Sequence, residues 1–218
     1  MPYVIKGTIN AYFERYEDCK SAYTGSKGNR WMWVADEEEG QAILHGPGVI
    51  LPAGSYAFTD GNGEGGIGVV LLDMDESGEP KNERAFSSHV LDAFKRYPLP
   101  NSPTETEVSE ALSRQGNALA EMAACYLAMQ EMRDGVSVTV VHDNAAVGDW
   151  MERRSTVRRS GVLRALVVEG LGLLERRNPR PRFRHQYGHR SDWVGRHDYA
   201  RYNQRADQLA DQGTHRRS

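Results

Sequence analysis

From residue 55 onward, short apolar runs alternate with turn-forming clusters, and the spacing of those runs sets the expected elements. Ser55 to Thr59 is a brief alternating run that ends in Asp60-Gly61-Asn62-Gly63, where Asp-Gly and Asn-Gly steps signal a sharp turn. Gly66 to Leu72 follows as a second strand, which predicts a hairpin whose Gly66 and Gly68 permit close backbone approach. Ala85 to Val90 predicts a third strand, and the proline-rich stretch from Tyr97 to Pro103 predicts a loop. The period then changes. Leu119, Met122, Ala123, Tyr126 and Met129 recur along one helical face in a segment of good helix formers that ends at Gly135. Val136 to Val141 is a β-branched strand leading into His142-Asp143-Asn144. Val147 to Met151 and Val162 to Leu174 predict helices, Arg182 to Tyr187 a strand, and Asn203 to Asp211 the last helix. Three strands, then helix, strand, helix, strand and helix, describe an α/β domain with a five-stranded mixed sheet flanked by helices.

Residues 1 to 50 have a different texture. An apolar opening (Tyr3, Val4, Ile5) precedes a polar, helix-like run through Cys19, the aromatic cluster Arg30-Trp31-Met32-Trp33, and the acids Glu37 to Glu39. Glycine and proline between Gly46 and Gly54 mark a boundary near residue 50. The expected organisation is a small α/β module at 1–50, a linker at 51–54, the larger domain at 55–212, and a frayed tail at 213–218.

Composition narrows the classes. With 39% hydrophobic and 26% charged residues and a mean hydropathy of -0.64, the 218-residue chain is expected to be neither a membrane protein nor fully disordered. The opening MPYVIKGTIN lacks a basic and then apolar leader, so the expected location is the cytoplasm, with no membrane partner. Cys19 and Cys125 are the two cysteines; their separation supports neither a disulfide framework nor a zinc site, and both are expected as buried thiols. The net charge of -3 conceals an asymmetry. Residues 1–150 hold 11 basic and 23 acidic side chains, whereas 151–218 hold 16 and 7. That split suits an acidic site able to hold cations beside a basic surface able to meet phosphate, although an arginine-rich solvated surface would look the same.

Three acids stand at informative places. Asp60 ends the first strand, Asp143 ends a later one, and Glu121 lies one turn into the intervening helix. If the two strands are parallel neighbours, both aspartates emerge at one sheet edge, where the helix can present Glu121. Converging carboxylates repel one another unless cations neutralise them, and hard oxygen ligands with open positions suit Mg²⁺ or Mn²⁺. Asp207, on the last helix, is a natural fourth. Taken singly, an aspartate at a strand end is ordinarily a turn or cap residue, and a helical glutamate is ordinarily solvated. Their joint order carries the signal.

Together these segments resemble the type 1 ribonuclease H family. Tyr56 to Gly63 followed by Gly66 to Leu71 resembles its opening hairpin, and Asn117 to Ala124 resembles the helix bearing its catalytic glutamate. Val138 to Asn144 is similar to the strand ending in its second aspartate, with Asn144 in place of the more usual serine. Tyr187-Gly188-His189 and Asn203 to Ala210 resemble its flexible-loop histidine and last aspartate. The resemblance spans roughly residues 55 to 212. It implies a ribonuclease H-like fold and an endonuclease that hydrolyses the RNA strand of RNA/DNA hybrids with two metal ions, Mg²⁺ or Mn²⁺, held by Asp60, Glu121, Asp143 and Asp207. His189 would assist proton transfer, backbone groups around Gly61 and Asn62 and the side chain of Asn117 would read the RNA strand, and the arginine-rich segment from Arg153 to Arg164 would track phosphate.

Two stretches depart from the family pattern. Arg84 to Ser113 contains an insertion, and the span from His189 to Asn203 is long, which leaves His197 as the alternative to His189. In the N-terminal module, Tyr16-Glu17-Asp18-Cys19-Lys20 and Arg30-Trp31 through Leu44 resemble the hybrid-binding, viroplasmin-like domain that precedes some ribonucleases H. Tyr16 and Trp31 are the implied contacts to the DNA strand. Met32 and Trp33 stand where that domain has basic residues, and residues 1–50 carry 5 basic and 7 acidic side chains, so aromatic packing alone explains the pattern equally well. Another nuclease of the same fold, such as a resolvase or exonuclease, and a noncatalytic hybrid-binding module remain the alternatives.

Overall fold

A computed structural model of the protein describes residues 2–6, 9–24, 30–34, 36–45, 50–100, 102–158, 161–186 and 198–215. Chain contacts divide the described residues into two compact units, the first formed by residues up to Ile50 together with Asp198 and the second by the residues from Leu51 on, apart from Asp198. The first unit comprises β1 (Tyr3–Lys6), β2 (Ala11–Phe13), α1 (Tyr16–Tyr23), β3 (Arg30–Trp33) and α2 (Glu37–His45). Its antiparallel sheet has the order β2-β1-β3. Val4, Val34, Ile43 and Leu44 form its core with Tyr12 packed against them, and the Lys6 Nζ donates to the Ile43 carbonyl at 2.6 Å. Cys19 is a buried free thiol.

The second unit runs β4 (Gly54–Gly61), β5 (Gly66–Met74), β6 (Pro80–His89), α3 (Val90–Arg96), α4 (Glu105–Gln115), α5 (Asn117–Glu131), β7 (Val138–His142), α6 (Ala145–Met151), α7 (Val162–Arg176), β8 (Arg182–His185) and α8 (Asp198–His215). Its five-stranded sheet has the order β6-β5-β4-β7-β8. The β4-β5-β6 part is an antiparallel meander, while β7 joins β4 and β8 joins β7 in parallel, each after a helical crossover. Alternation along β5 separates the two faces. Ile67, Val69 and Leu71 join the core beneath α3, α5 and α7, whereas Gly66 and Gly68 turn toward α8. A β-carbon on either glycine would collide with α8 backbone, at Ala206 for Gly68 and at Ala210 for both. Phe58 packs on Tyr199 and Tyr202 from that same helix.

Several elements differ from the sequence expectation. The third strand starts at Pro80 rather than Ala85, because its first half is an exposed polar edge with no alternating pattern to reveal it. It ends at His89, whose Nδ1 accepts from the Leu91 amide, so Val90 opens α3 instead of closing a strand. The insertion after Arg84 folds as two helices, α3 and α4. The second begins with Thr104 and Glu107 capping each other's backbone amides, an S/T-x-x-E signature visible in the sequence. These additions explain why α5 buries every residue from Leu119 to Met129 rather than one face: the sheet, α3, α4 and α7 surround it. The last helix continues past Asp211 to His215, with Gly213 seated against the Ser88 backbone. In the expected linker, Leu51 is buried and the Pro52 carbonyl accepts from Tyr56 Oη at 2.9 Å.

Candidate active site

Parallel pairing of β4 and β7 in the register Thr59↔His142 brings Asp60 and Asp143 side by side at the carboxyl edge of the sheet. Glu121 arrives from α5. Gly61 makes that approach possible, since a β-carbon there would collide with the Ala120 and Glu121 backbone. One carboxylate oxygen from each of Asp60, Glu121 and Asp143 lies within 4.8 Å of the others. Asp60 is 2% and Glu121 4% exposed. Asp207 lies outside this close group, on a half-buried position of α8, yet near enough to act electrostatically on Glu121.

The electrostatics of this cluster are unfavourable by themselves. Burial, then the charges of Asp143 and Asp60, a hydrogen bond with Asp143 and the charge of Asp207 push the Glu121 carboxyl up to about 11. Two full charges at this separation repel by on the order of 3 kcal/mol at an effective dielectric of about 20. Glu121 Oε2 is buried and has no hydrogen-bond partner among the described residues. A buried acceptor without a donor, in a group made only of hard oxygen ligands, fits a divalent cation.

The hairpin tip beside Asp60 is tightly tied. Asn62 Oδ1 accepts from the amides of Glu64 and Gly66, and its Nδ2 reaches Asp211 at 3.2 Å and Thr214 at 2.9 Å on α8. The Asn62 amide itself donates to the Gly66 carbonyl. His89 adds a tie from Nε2 to the Glu64 carbonyl at 3.1 Å. The Asn62 side chain thus braces the turn and joins it to the helix that carries Asp207. Asn117 is exposed at the start of α5, with Oδ1 3.1 Å from where a β-carbon on Gly63 would stand.

Asn144, the departure from the usual serine, caps α6 by accepting from the Ala146 amide at 3.1 Å. Behind Asp143 lies an arrangement that the sequence reading missed, the stacked imidazoles of His142 and His185. Burial and the facing His185 push the His142 imidazole down to about 4. Its trace in the sequence is a histidine at the end of each of two neighbouring parallel strands. In the expected phosphate-tracking segment, Arg153 pairs with Glu175 and Arg154 with Asp149 and Glu152, whereas Arg158 and Arg164 are exposed. In the first unit, Tyr3, Tyr16 and Trp31 form a mutual cluster with centroids 5.4 to 5.8 Å apart, and Tyr16 is 40% exposed. His189 and His197 lie outside the described residues. Among the described residues, no helix is long and apolar enough to cross a membrane.

No family model and no curated protein matches the chain. Among solved structures, LC11-RNase H1 from a compost metagenome is 18% identical, with 74% of this chain and 94% of that one covered and a TM-score of 0.46. Its complex with an RNA/DNA hybrid gives 19%, 74%, 96% and 0.45 in the same order. RNase H1 from the halophilic archaeon Halobacterium salinarum gives 15%, 75%, 97% and 0.42. The strand order and directions of the second unit, with acids at the adjoining ends of β4 and β7, are those of a ribonuclease H-like fold.

Proposed function

We propose that the second unit is a metal-dependent endonuclease that hydrolyses the RNA strand of RNA/DNA hybrids. The observation that carries this reading is the convergence of Asp60, Glu121 and Asp143 within 4.8 Å at the ends of two parallel strands, in a fold whose motifs resemble type 1 ribonuclease H. Those three carboxylates and Asp207 would hold two Mg²⁺ or Mn²⁺ ions. When bound, such ions supply a hydroxide nucleophile at neutral pH and stabilise charge on the leaving 3′ oxygen. The chain contributes the geometry: Gly61 admits α5, Gly66 and Gly68 admit α8, and the braced hairpin keeps Asp60 in register with both.

Selection for RNA rests on 2′-hydroxyl groups in the wide, shallow minor groove. The exposed Asn117 amide is the proposed reader, with the backbone at Gly61 and Asn62 shaping the surface beside it. His189 is the proposed proton shuttle, and His189→Ala is expected to slow turnover by roughly 10²-fold while His197→Ala has little effect. Tyr16 and Trp31 are proposed to meet deoxyribose on the DNA strand through their ring faces. Replacing both with alanine should weaken hybrid binding while changing the salt slope by less than about one unit, because apolar contacts release no counterions.

The deciding experiment incubates the protein with end-labelled RNA/DNA hybrid, double-stranded RNA and double-stranded DNA, with and without Mg²⁺. Cleavage of the RNA strand of the hybrid, only with the metal, supports the proposal. Cleavage of duplex DNA would move the reading to another nuclease of this fold, and hybrid binding without cleavage would move it to a noncatalytic module.

A further inference from the structure

Asp60 and Asp143 are held differently. Asp60 lies inside β4, in a ladder to β5 that extends through Gly61. Asp143 lies one residue past the end of β7, outside the ladders to β4 and β8. A carboxylate beyond the ladder keeps its direction only if its own peptide is fixed by other means.

Two imidazoles do this. His185 Nε2 lies 2.8 Å from the Asp143 carbonyl oxygen, and His142 Nδ1 lies 2.9 Å from the Asn144 carbonyl oxygen. Carbonyl oxygens only accept, so each of those ring nitrogens carries a proton and donates it. The two rings face each other at a centroid separation of 5.5 Å with planes 15° apart, following from the register His142↔His185. The Gln186 amide closes the arrangement by donating to the His142 carbonyl at 2.7 Å. On the other side, a β-carbon on Gly148 would lie 2.7 Å from His142 Nε2, so glycine at that position of α6 leaves space for the ring.

We propose that His142 and His185 form a backbone clamp that orients the Asp143 carboxylate for divalent-cation binding, with His185 as a positioning residue acting through the Asp143 carbonyl. The inference rests on the reading of Asp60, Glu121 and Asp143 as a cation site. Neither ring is assigned a contact with substrate. Partners that orient a metal ligand from behind typically alter metal affinity by about 10- to 100-fold when removed.

The test is a Mn²⁺ titration of the 218-residue chain without nucleic acid, followed by the free-ion electron paramagnetic resonance signal, together with hydrogen exchange at the Asn144 amide. His185→Phe keeps a stacked ring without the donor, and His185→Leu serves as the donorless variant if phenylalanine prevents folding. His185→Gln returns an N–H near the position of Nε2. The donorless variant is expected to bind Mn²⁺ about tenfold more weakly and to exchange faster at Asn144, with the glutamine variant recovering most of both. Wild-type Mn²⁺ affinity in a folded donorless variant overturns the clamp, and so does an equal loss in the glutamine variant, which would assign the effect to the ring rather than the hydrogen bond. Wild-type Mn²⁺ uptake indifferent to Asp60→Asn would instead overturn the cation-site reading on which the clamp depends.

Discussion

Helix α5 carries a glutamate near each end, Glu121 buried and Glu131 half-buried, and the two have opposite surroundings. Glu131 accepts from Tyr97 Oη at 2.6 Å and from Arg96 at 2.6 Å, with Arg84 at 3.9 Å. Glu121, at the other end, faces Asp60, Asp143 and Asp207. The neighbouring strands repeat the contrast. On β5, Asp73 receives hydrogen bonds from Ser55 at 2.5 Å and Asn82 at 2.8 Å and pairs with Arg133, whereas the opposite end of the same β4-β5 ladder holds Asp60. One end of these three elements answers its acids with donors and cations from the chain. The other gathers acids and leaves a buried glutamate oxygen without a hydrogen-bond partner among the described residues. The second arrangement does not stabilise the fold by itself, and it is the pattern expected of the cation site proposed above.

The comparison breaks most visibly under a matched pair of substitutions. Glu121→Gln should lower cleavage of the hybrid by more than about 10³-fold, as loss of a charged ligand does when residues act as one unit, and should not destabilise the metal-free protein. Glu131→Gln should leave turnover within about twofold yet cost about 2 kcal/mol of stability, the scale of a hydrogen bond to a charged group. Turnover with single-turnover kinetics and urea unfolding of both variants would check this. Comparable activity losses would show that the two ends do not differ in function.

Gly61→Ala should have the next largest effect. Its methyl group meets α5 backbone rather than the end of a flexible side chain, so the helix must move. Overpacking of this kind costs about 1 to 3 kcal/mol, and a displacement of about 1 Å at reacting groups can cost roughly 10²-fold in rate. An enzyme of unchanged rate and stability would mean that α5 is not held by this close approach.

How much of this was legible beforehand follows from which interactions are local. The hairpin, the β-branched strand before Asp143 and the helix around Glu121 were visible because period and turn residues are local signals, and β-pairing then brought their acids together as the sequence order suggested. The exposed half of β6 was not visible, since an edge strand in solvent has no apolar face to alternate. Helices α3 and α4 were hidden by the proline-rich segment between them, although Thr104 and Glu107 advertised the second. Asn62 shows the remaining limit. Nothing local in the sequence announces that its side-chain amide reaches Asp211 and Thr214, partners on a helix remote in sequence. The His142-His185 stack has the same character, because only the parallel register makes those residues neighbours.

The expected effect that separates the two ends most cleanly is their opposite response to pH without metal. At Asp73, burial acts to raise the carboxyl, but hydrogen bonds from Ser55, Asn82 and Arg133 and the Arg133 charge outweigh it and hold it below its usual 3.8. Its contribution is therefore full above pH 3.8 and is lost as pH falls through the lower folded value, where the unfolded chain binds the proton more readily. Glu121 runs the other way. Its folded value of about 11 lies above its usual 4.5, so the folded state holds the proton across that interval and stability declines as pH rises from 4.5. Glu121→Gln should flatten that decline, and Asp73→Asn should flatten only the acid limb, as read by urea unfolding in chelator at a series of pH values. Adding Mg²⁺ should erase the Glu121 slope and release protons, because a cation favours the ionised carboxylate. A decline that persists in Glu121→Gln, or a protein that releases no protons on addition of Mg²⁺ near neutral pH, would show that the acidic end is not the cation site inferred from its geometry.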